Sequence, residues 1–168
     1  FLAALCTEAR RAGVDRIRVA DTVGVASPLD ITRLVHLSRE HFDGPVGLHA
    51  HDDFGMATAN AIAALQAGAA RVDVSVLGLG ERAGISKLEE VVAYLAIKQD
   101  DPRFRPAALP ELARRVADWC GRIIDAHRPV LGQALFECES GIHVDGLLKD
   151  PATYEPYDPQ SVGAARRR

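Results

Sequence analysis

The chain has 168 residues, 48% of them hydrophobic and 26% charged, with a formal net charge of -3. This is the composition of a globular chain long enough for one domain with a real core; it argues against disorder and a membrane span, and the lack of an interleaved basic and aromatic stretch argues against nucleic acid as main partner. Three cysteines, Cys6, Cys120 and Cys138, are odd in number and far apart, so they give neither a disulfide framework nor a Cys-x-x-Cys metal clip, and a reducing cytoplasm is expected.

The opening Phe1-Leu2-Ala3-Ala4-Leu5 has no initiating Met and no basic region ahead of its apolar residues. It is expected to be a chain entered in mid-helix, not a signal peptide. Residues 2–12 read as a helix stopped by Gly13, and residues 16–20 as a short strand. Pro28 opens a helix carrying Ile31, Leu34, Val35 and Leu37 to about Glu40, after which Gly44-Pro45 breaks the chain. A strand over 46–51, a helix over 56–67 stopped by Gly68, a strand over 71–76 and a helix over 86–98 follow. Alternating strands and helices of this kind form βα units around a parallel sheet.

After Gln99 the pattern changes. Asp100-Asp101-Pro102 and Arg105-Pro106 are breakers, and residues 109–124 read as an amphipathic helix with Leu112, Val116, Trp119 and Ile123 on its apolar face. From Pro129 the pattern is irregular, with a short helical stretch to Lys149 and a turn-rich run over 151–159; Arg166-Arg167-Arg168 reads as a solvated tail. The expected division is therefore a barrel part over 1–99 and a linker subdomain over 100–168, the latter unable to bury itself alone and destined for the barrel or a partner subunit.

Each strand of the first part ends in a polar or glycine-rich loop: Asp21-Thr22-Val23-Gly24, His49-Ala50-His51-Asp52-Asp53, and residues 77–84. Parallel α/β folds bind ligands at that edge, and TIM barrels do so almost without exception. Three units do not close a barrel, which needs eight units and about 250 residues, so the expected fold is the C-terminal part of a TIM (β/α)8 barrel, its last three βα units, followed by the irregular linker subdomain.

The sharpest signal is His49-Ala50-His51. Residues i and i+2 of a strand share a face, so both imidazoles can meet one metal ion where strand gives way to loop. The bland alternative is a pair of strand-end histidines satisfied by backbone or water. Asp52 and Asp53 suit a helix cap better than a metal shell. Asn60, inside the next helix, is open between packing and a ligand role. Thr22 offers a hydroxyl at the mouth, or else forms a turn with Asp21. Gly78 and Gly80 let backbone N–H groups approach an anion, with a helix N-terminus near Ser86 adding to the attraction. Glu81 and Arg82 read as scaffold pairing with each other or with neighbouring loops.

Asp21-Thr22-Val23-Gly24, then residues 49–60 (HAHDDFGMATAN), then Gly78-Leu79-Gly80-Glu81-Arg82-Ala83-Gly84, in this order and spacing, resemble the last three strands of the acyl-CoA-condensing TIM barrels that include homocitrate, isopropylmalate and citramalate synthases. The resemblance continues into Glu139-Ser140-Gly141-Ile142-His143 and Thr153-Tyr154-Glu155 and covers nearly the whole chain. Asp52-Asp53-Phe54 and the run Val144-Asp145-Gly146-Leu147-Leu148-Lys149 favour the homocitrate branch of nitrogen-fixing bacteria.

The resemblance implies condensation of acetyl-CoA with a 2-oxo acid, 2-oxoglutarate first, at a divalent ion (Zn, Mn or Mg) held by His49 and His51. The family's third ligand, an Asp on its first strand, is not in this sequence, so the chain by itself is expected to be inactive. Thr22 is implied to bind the 2-oxo acid's carboxylate, and Gly78 and Gly80 to line the site near acetyl-CoA. His143 and Tyr154, with Glu139 as orienter, are implied to reach into a barrel as acid/base groups, usually that of the partner subunit in a homodimer joined through the C-terminal region. Many relatives carry Asn where this chain has Ile85, and an apolar side chain cannot replace a ligand or a water-holding amide. Lyases of the same superfamily carry a Cys in the glycine-rich loop; this chain has none there, so condensation is preferred over cleavage. A non-catalytic binding or assembly module is the reading outside enzymology. His36, His41 and His127 are expected to be solvated.

Overall fold

In the computed structural model, which describes residues 1–166, the chain divides into two compact units, Phe1–Val91 and the segment from Val92 on. The first unit holds α1 (Leu2–Arg11), β1 (Ile17–Asp21), α2 (Pro28–His41), β2 (Val46–Ala50), α3 (Ala57–Gln66), β3 (Arg71–Val72) and the start of α4 (Leu88–Lys98). The strands form one sheet in sequence order, and both neighbouring pairs are parallel. This is the expected run of βα units.

Local sequence explains the boundaries. Ser27 and Asp30 close a reciprocal capping box over the N-terminus of α2, with Pro28 in its first turn. Along α2, Ile31, Val35 and Ser38 are buried, and α3 meets the core through Ala57, Ala61 and Ala64. These small side chains let α3 pack closely.

Strand alternation separates two faces. Val19, Leu48 and Val72 are in register and pack into a core with Ile31, Val35, Ala57 and Ala64. The intervening residues Arg18, Ala20, Gly47, His49 and Arg71 lie on the opposite face of the sheet. A second cluster of Cys6, Phe42 and Val46 seats α1 against Ile17 and Val19.

The third unit departs from the expected boundaries. The ladder ends at Val72 instead of Val76, although the Asp73 N–H still donates to the Leu48 carbonyl at 2.9 Å. Beyond it the chain turns to its own returning segment: the Ser75 N–H bonds Ser86 O at 3.0 Å and the Leu88 N–H bonds Ser75 O at 2.9 Å. That pairing occupies Ser86 and Lys87, so α4 starts at Leu88 and not at Ser86.

The second unit contains the rest of α4, α5 (Leu109–Cys120) and α6 (Gly141–Lys149), joined by single-turn helices over Pro106–Ala108, Pro151–Thr153 and Pro159–Val162. α5 stops at Cys120 instead of Ile124 because Gly121 takes a left-handed conformation and its N–H caps the Ala117 and Asp118 carbonyls. The expected apolar face is also corrected. The buried ridge is Leu109, Ala113 and Ala117, spaced i, i+4, i+8, whereas Leu112 and Trp119 on the neighbouring ridge, and Ile123 beyond the helix end, are exposed, Trp119 by 82%. Arg166 is no free tail residue, since its guanidinium pairs with both oxygens of Glu155 at 2.7 Å; Arg167 and Arg168 lie outside the described residues. Among the described residues no helix is long and apolar enough to cross a membrane.

Candidate active site at the strand ends

The loop after β1 is organised by the strand's last residue. The Asp21 carboxylate accepts the N–H groups of Val25 and Ala26, each at 3.1 Å, so the turn-forming role belongs to Asp21. Thr22 is exposed, and its hydroxyl has no hydrogen bond among the described residues.

The side chains of His49 and His51 share the open face, their ring centroids 4.9 Å apart and their planes at 78°. Each Nδ1 is engaged. That of His49 lies 2.8 Å from Asp73 Oδ2, and that of His51 lies 3.1 Å from the Asp21 carbonyl oxygen. A carbonyl can only accept, so His51 carries its proton on Nδ1, and a carboxylate imposes the same tautomer on His49. In its neutral form each ring then presents Nε2 as a lone-pair donor.

The two aspartates that follow are scaffold. Asp52 accepts from the Ala57 N–H at the start of α3 and from Lys87 Nζ, both at 2.8 Å. Asp53 receives Arg82 through two bonds, Nε at 2.7 Å and Nη2 at 2.8 Å, and the same Nη2 donates to Thr22 O at 2.8 Å. Arg82 thus ties together the loops after all three strands. Its hydrogen bonds hold the Asp53 carboxyl below its ordinary range, and Asp53 in turn raises the guanidinium. Gly24 permits this approach, because a Cβ there would sit 2.5 Å from Asp53 Oδ2.

The glycine-rich loop is folded on itself. The Ile85 N–H donates to Gly78 O and the Gly78 N–H to Ser75 O, both at 3.1 Å. Buried Glu89 accepts the N–H of Leu77, which has a φ of 60°. Ser86 caps no helix; it is 1% exposed and donates to Ala57 O at 2.8 Å. Ile85 forms an isolated antiparallel bridge with His51. Asn60 is buried and donates to Ala26 O at 2.8 Å, which makes it a brace between α3 and the first loop, while its Oδ1 has no partner among the described residues.

In the second unit, His143 and Tyr154 stack with ring centroids 4.3 Å apart and planes at 23°. Glu139 makes no hydrogen bond or ion pair with His143 among the described residues. His36 and His127 are exposed and His41 is partly so. Among the described residues no cluster of three or more His, Cys, Asp or Glu is arranged to hold a metal.

Sequence reasoning missed Asp73, Arg18, Lys87 and Glu89. Asp73 was findable: an acidic residue in an otherwise β-rich run, with the parity of the open face. Lys87 and Glu89 depend on how the glycine-rich loop returns, which spacing does not encode.

Comparison with known proteins agrees with this architecture. Residues 1–116 match the HMGL-like family model, and residues 130–168 match a model described as homocitrate synthase post-HMGL domain-like. The homocitrate synthase of Frankia alni is 48% identical over 174 residues, which cover 99% of this chain and 48% of that enzyme. A 2-isopropylmalate synthase of Caldanaerobacter subterraneus subsp. tengcongensis is 45% identical over 173 residues, covering 99% of this chain and 44% of the relative. The chain thus spans under half the length of these curated relatives. An HMG-CoA lyase from Acenitobacter baumannii, solved in complex with coenzyme A and 3-methylmalate, superposes with a TM-score of 0.63 at 26% identity over 71% of this chain and 41% of that one. Its three parallel βα units with loops gathered at the strand ends are part of a TIM barrel, and the chain belongs to the HMGL-like family.

Proposed function

We propose that this chain is part of an acyl-CoA-dependent condensing synthase that joins acetyl-CoA to 2-oxoglutarate to give homocitrate. The observation that carries the reading is the paired imidazoles, each fixed through Nδ1 so that Nε2 is left for a ligand. Two imidazoles bound through Nε2 at about 2.0–2.1 Å to one cation place their centroids about 4.5 Å apart at a right angle and about 5.2 Å apart at a tetrahedral one. The 4.9 Å observed lies between these values, which supports His49 and His51 as two ligands of one divalent ion. Such an ion supplies Lewis-acid polarisation of the ketone of a chelating 2-oxo acid.

The chain's own residues supply the rest. The Thr22 hydroxyl donates to the 2-oxo acid's carboxylate, and the Arg82 clamp keeps Thr22 at a fixed place beside the histidines. Gly78 and Gly80 line the site on the side of acetyl-CoA. His143 moves the proton of the acetyl methyl group, with Tyr154 stacked on its ring and Glu139 as an orienter. Exposed Trp119, Ile123 and Ile142 of the second unit suit a homodimer formed through the C-terminal region. The 48% identity to a homocitrate synthase supports 2-oxoglutarate as the oxo acid, and Asp52-Asp53-Phe54 supports the nitrogen-fixation type. An isopropylmalate synthase at 45% keeps a branched 2-oxo acid as the second reading. A lyase is disfavoured, because residues 77–84 contain no cysteine.

The test is release of free coenzyme A from acetyl-CoA by the complete synthase that contains this chain, in the presence of 2-oxoglutarate, 2-oxoisovalerate or pyruvate. The expected result is turnover with 2-oxoglutarate, abolished in His49→Ala. Thiol release with none of the three acids, by a protein that binds zinc, would remove the condensing reading.

A further inference from the structure

We propose that Asp73 is the positioning residue of His49: its carboxylate holds the ring by the Nδ1 proton and so presents Nε2 at the mouth of the site. This rests on the cation reading above and adds to it a residue outside the motifs singled out in the sequence. Asp73 lies one residue beyond β3, where the ladder has just ended, yet it is anchored twice to β2. Its N–H donates to Leu48 O at 2.9 Å, and its Oδ2 takes His49 Nδ1 at 2.8 Å. The same oxygen receives Arg18 Nη1 from β1 at 2.7 Å, so one carboxylate links all three strands on the open face. With the backbone fixed on one side and a guanidinium on the other, the carboxylate has little rotamer freedom, and the imidazole it holds has little more. A carboxylate behind a ligating histidine sets its tautomer and raises its basicity.

The two histidines differ in this respect. His51 is held by a main-chain oxygen, that of Asp21, which no substitution removes. His49 is held by a side chain, so its orientation alone can be tested by mutation without touching a ligand.

The experiment compares the full wild-type chain with Asp73→Ala, Asp73→Asn and His49→Ala in two measurements. One is zinc affinity by competition titration. The other is the tautomer of His49 in the metal-free protein, read from long-range proton–nitrogen NMR correlations. In wild type, His49 is expected to carry its proton on Nδ1. In Asp73→Ala this preference is expected to collapse into a mixture, and zinc to bind about 10- to 100-fold more weakly, the usual loss for a histidine's outer partner. Asp73→Asn preserves size and one acceptor oxygen, so it remains folded if the alanine variant does not, and its expected effect has the same sign but is smaller. A structural role alone would move the melting temperature without moving the tautomer. If zinc binds through His49 equally well in all Asp73 variants, or if the tautomer does not change, the assignment of Asp73 is overturned while the cation reading stands. A wild type whose zinc affinity is indifferent to His49→Ala overturns the cation reading itself, and the role of Asp73 with it.

Discussion

Replacing Gly84 by alanine tests whether the glycine-rich loop is a folded object or a soft edge. Gly84 has a φ of 95°, which costs an L-residue about 1–3 kcal/mol. A Cβ placed there would lie 1.9 Å from Gly78 O, so the main chain must shift by more than an ångström. That shift breaks the bond from the Ile85 N–H to Gly78 O, and leaving such groups buried without partners costs about 1–3 kcal/mol. Overpacking adds about 1–3 kcal/mol, and the stiffer unfolded chain returns about 0.4–1 kcal/mol. The expected net loss is about 2–9 kcal/mol, a large share of the roughly 5–15 kcal/mol that stabilises a typical domain. Gly55 is the control. It has a φ of 71° but no atom within 4 Å of its added Cβ, so Gly55→Ala carries the backbone strain without the collision, about 1–2 kcal/mol. Urea unfolding of both variants, with hydrogen exchange of the β2 amides as the local probe, gives the comparison. Because the Asp52 N–H bonds Gly84 O at 2.9 Å, exchange at Asp52 should also accelerate in the Gly84 variant. Equal losses at the two glycines would show that the contact at Gly78 O does not exist in solution.

Leu48→Ala removes a side chain that is 1% exposed at the centre of the first core and should cost about 2–5 kcal/mol in urea melts; a loss below about 1 kcal/mol would contradict the packing described. Ser27→Ala deletes the hydroxyl half of the capping box on α2, leaving the residue-27 N–H to the Asp30 carboxylate, and should cost about 1 kcal/mol, with Ser27→Gly costing less. Arg82→Gln should let the Asp53 carboxyl rise toward its ordinary value of 3.8, since the Arg82 hydrogen bond is the main cause of its depression. The sign follows from linkage: a carboxyl depressed in the folded state adds stability above its unfolded value and loses it as the pH falls through the lower folded value. The wild type should therefore lose stability between the two values, and the variant should show a flatter acid limb, with the Asp53 titration followed by NMR. An unchanged titration would mean that the clamp is open in solution.

The sequence made the parallel βα pattern legible because helix boundaries such as the Ser27-Pro28 cap and the Gly68 turn have a local cause. The His49-Ala50-His51 pair was legible for the same reason, since strand alternation places both rings on one face. What escaped was set by non-local pairing. The third strand ends at Val72 because Ser75 takes its bonds from Ser86 and Leu88, residues that arrive only after the ten intervening residues 76–85 have closed a loop. The apolar face of α5 was misplaced because periodicity favours the large residues Leu112, Trp119 and Ile123, while the actual contact selects the small ones, Ala113 and Ala117. Asp73 escaped because its role is defined by a partner on another strand.

The distribution of satisfied polar groups separates scaffold from chemistry at this edge. Asp21 spends its carboxylate on its own loop, and Asp52, Asp53, Arg82, Lys87 and Ser86 spend their hydrogen bonds on another loop or helix start. These bonds run laterally, within one βα unit or from one unit to another, so the three loops are positioned by one another. The Thr22 hydroxyl and the Nε2 atoms of His49 and His51 differ, since the groups around them are committed and they are not. A buried polar atom without a partner is costly, but at an open rim such an atom costs little until a ligand comes to it. Two imidazoles fixed through Nδ1, with no hydrogen bond to either Nε2 among the described residues, are the asymmetry on which the proposed cation site rests.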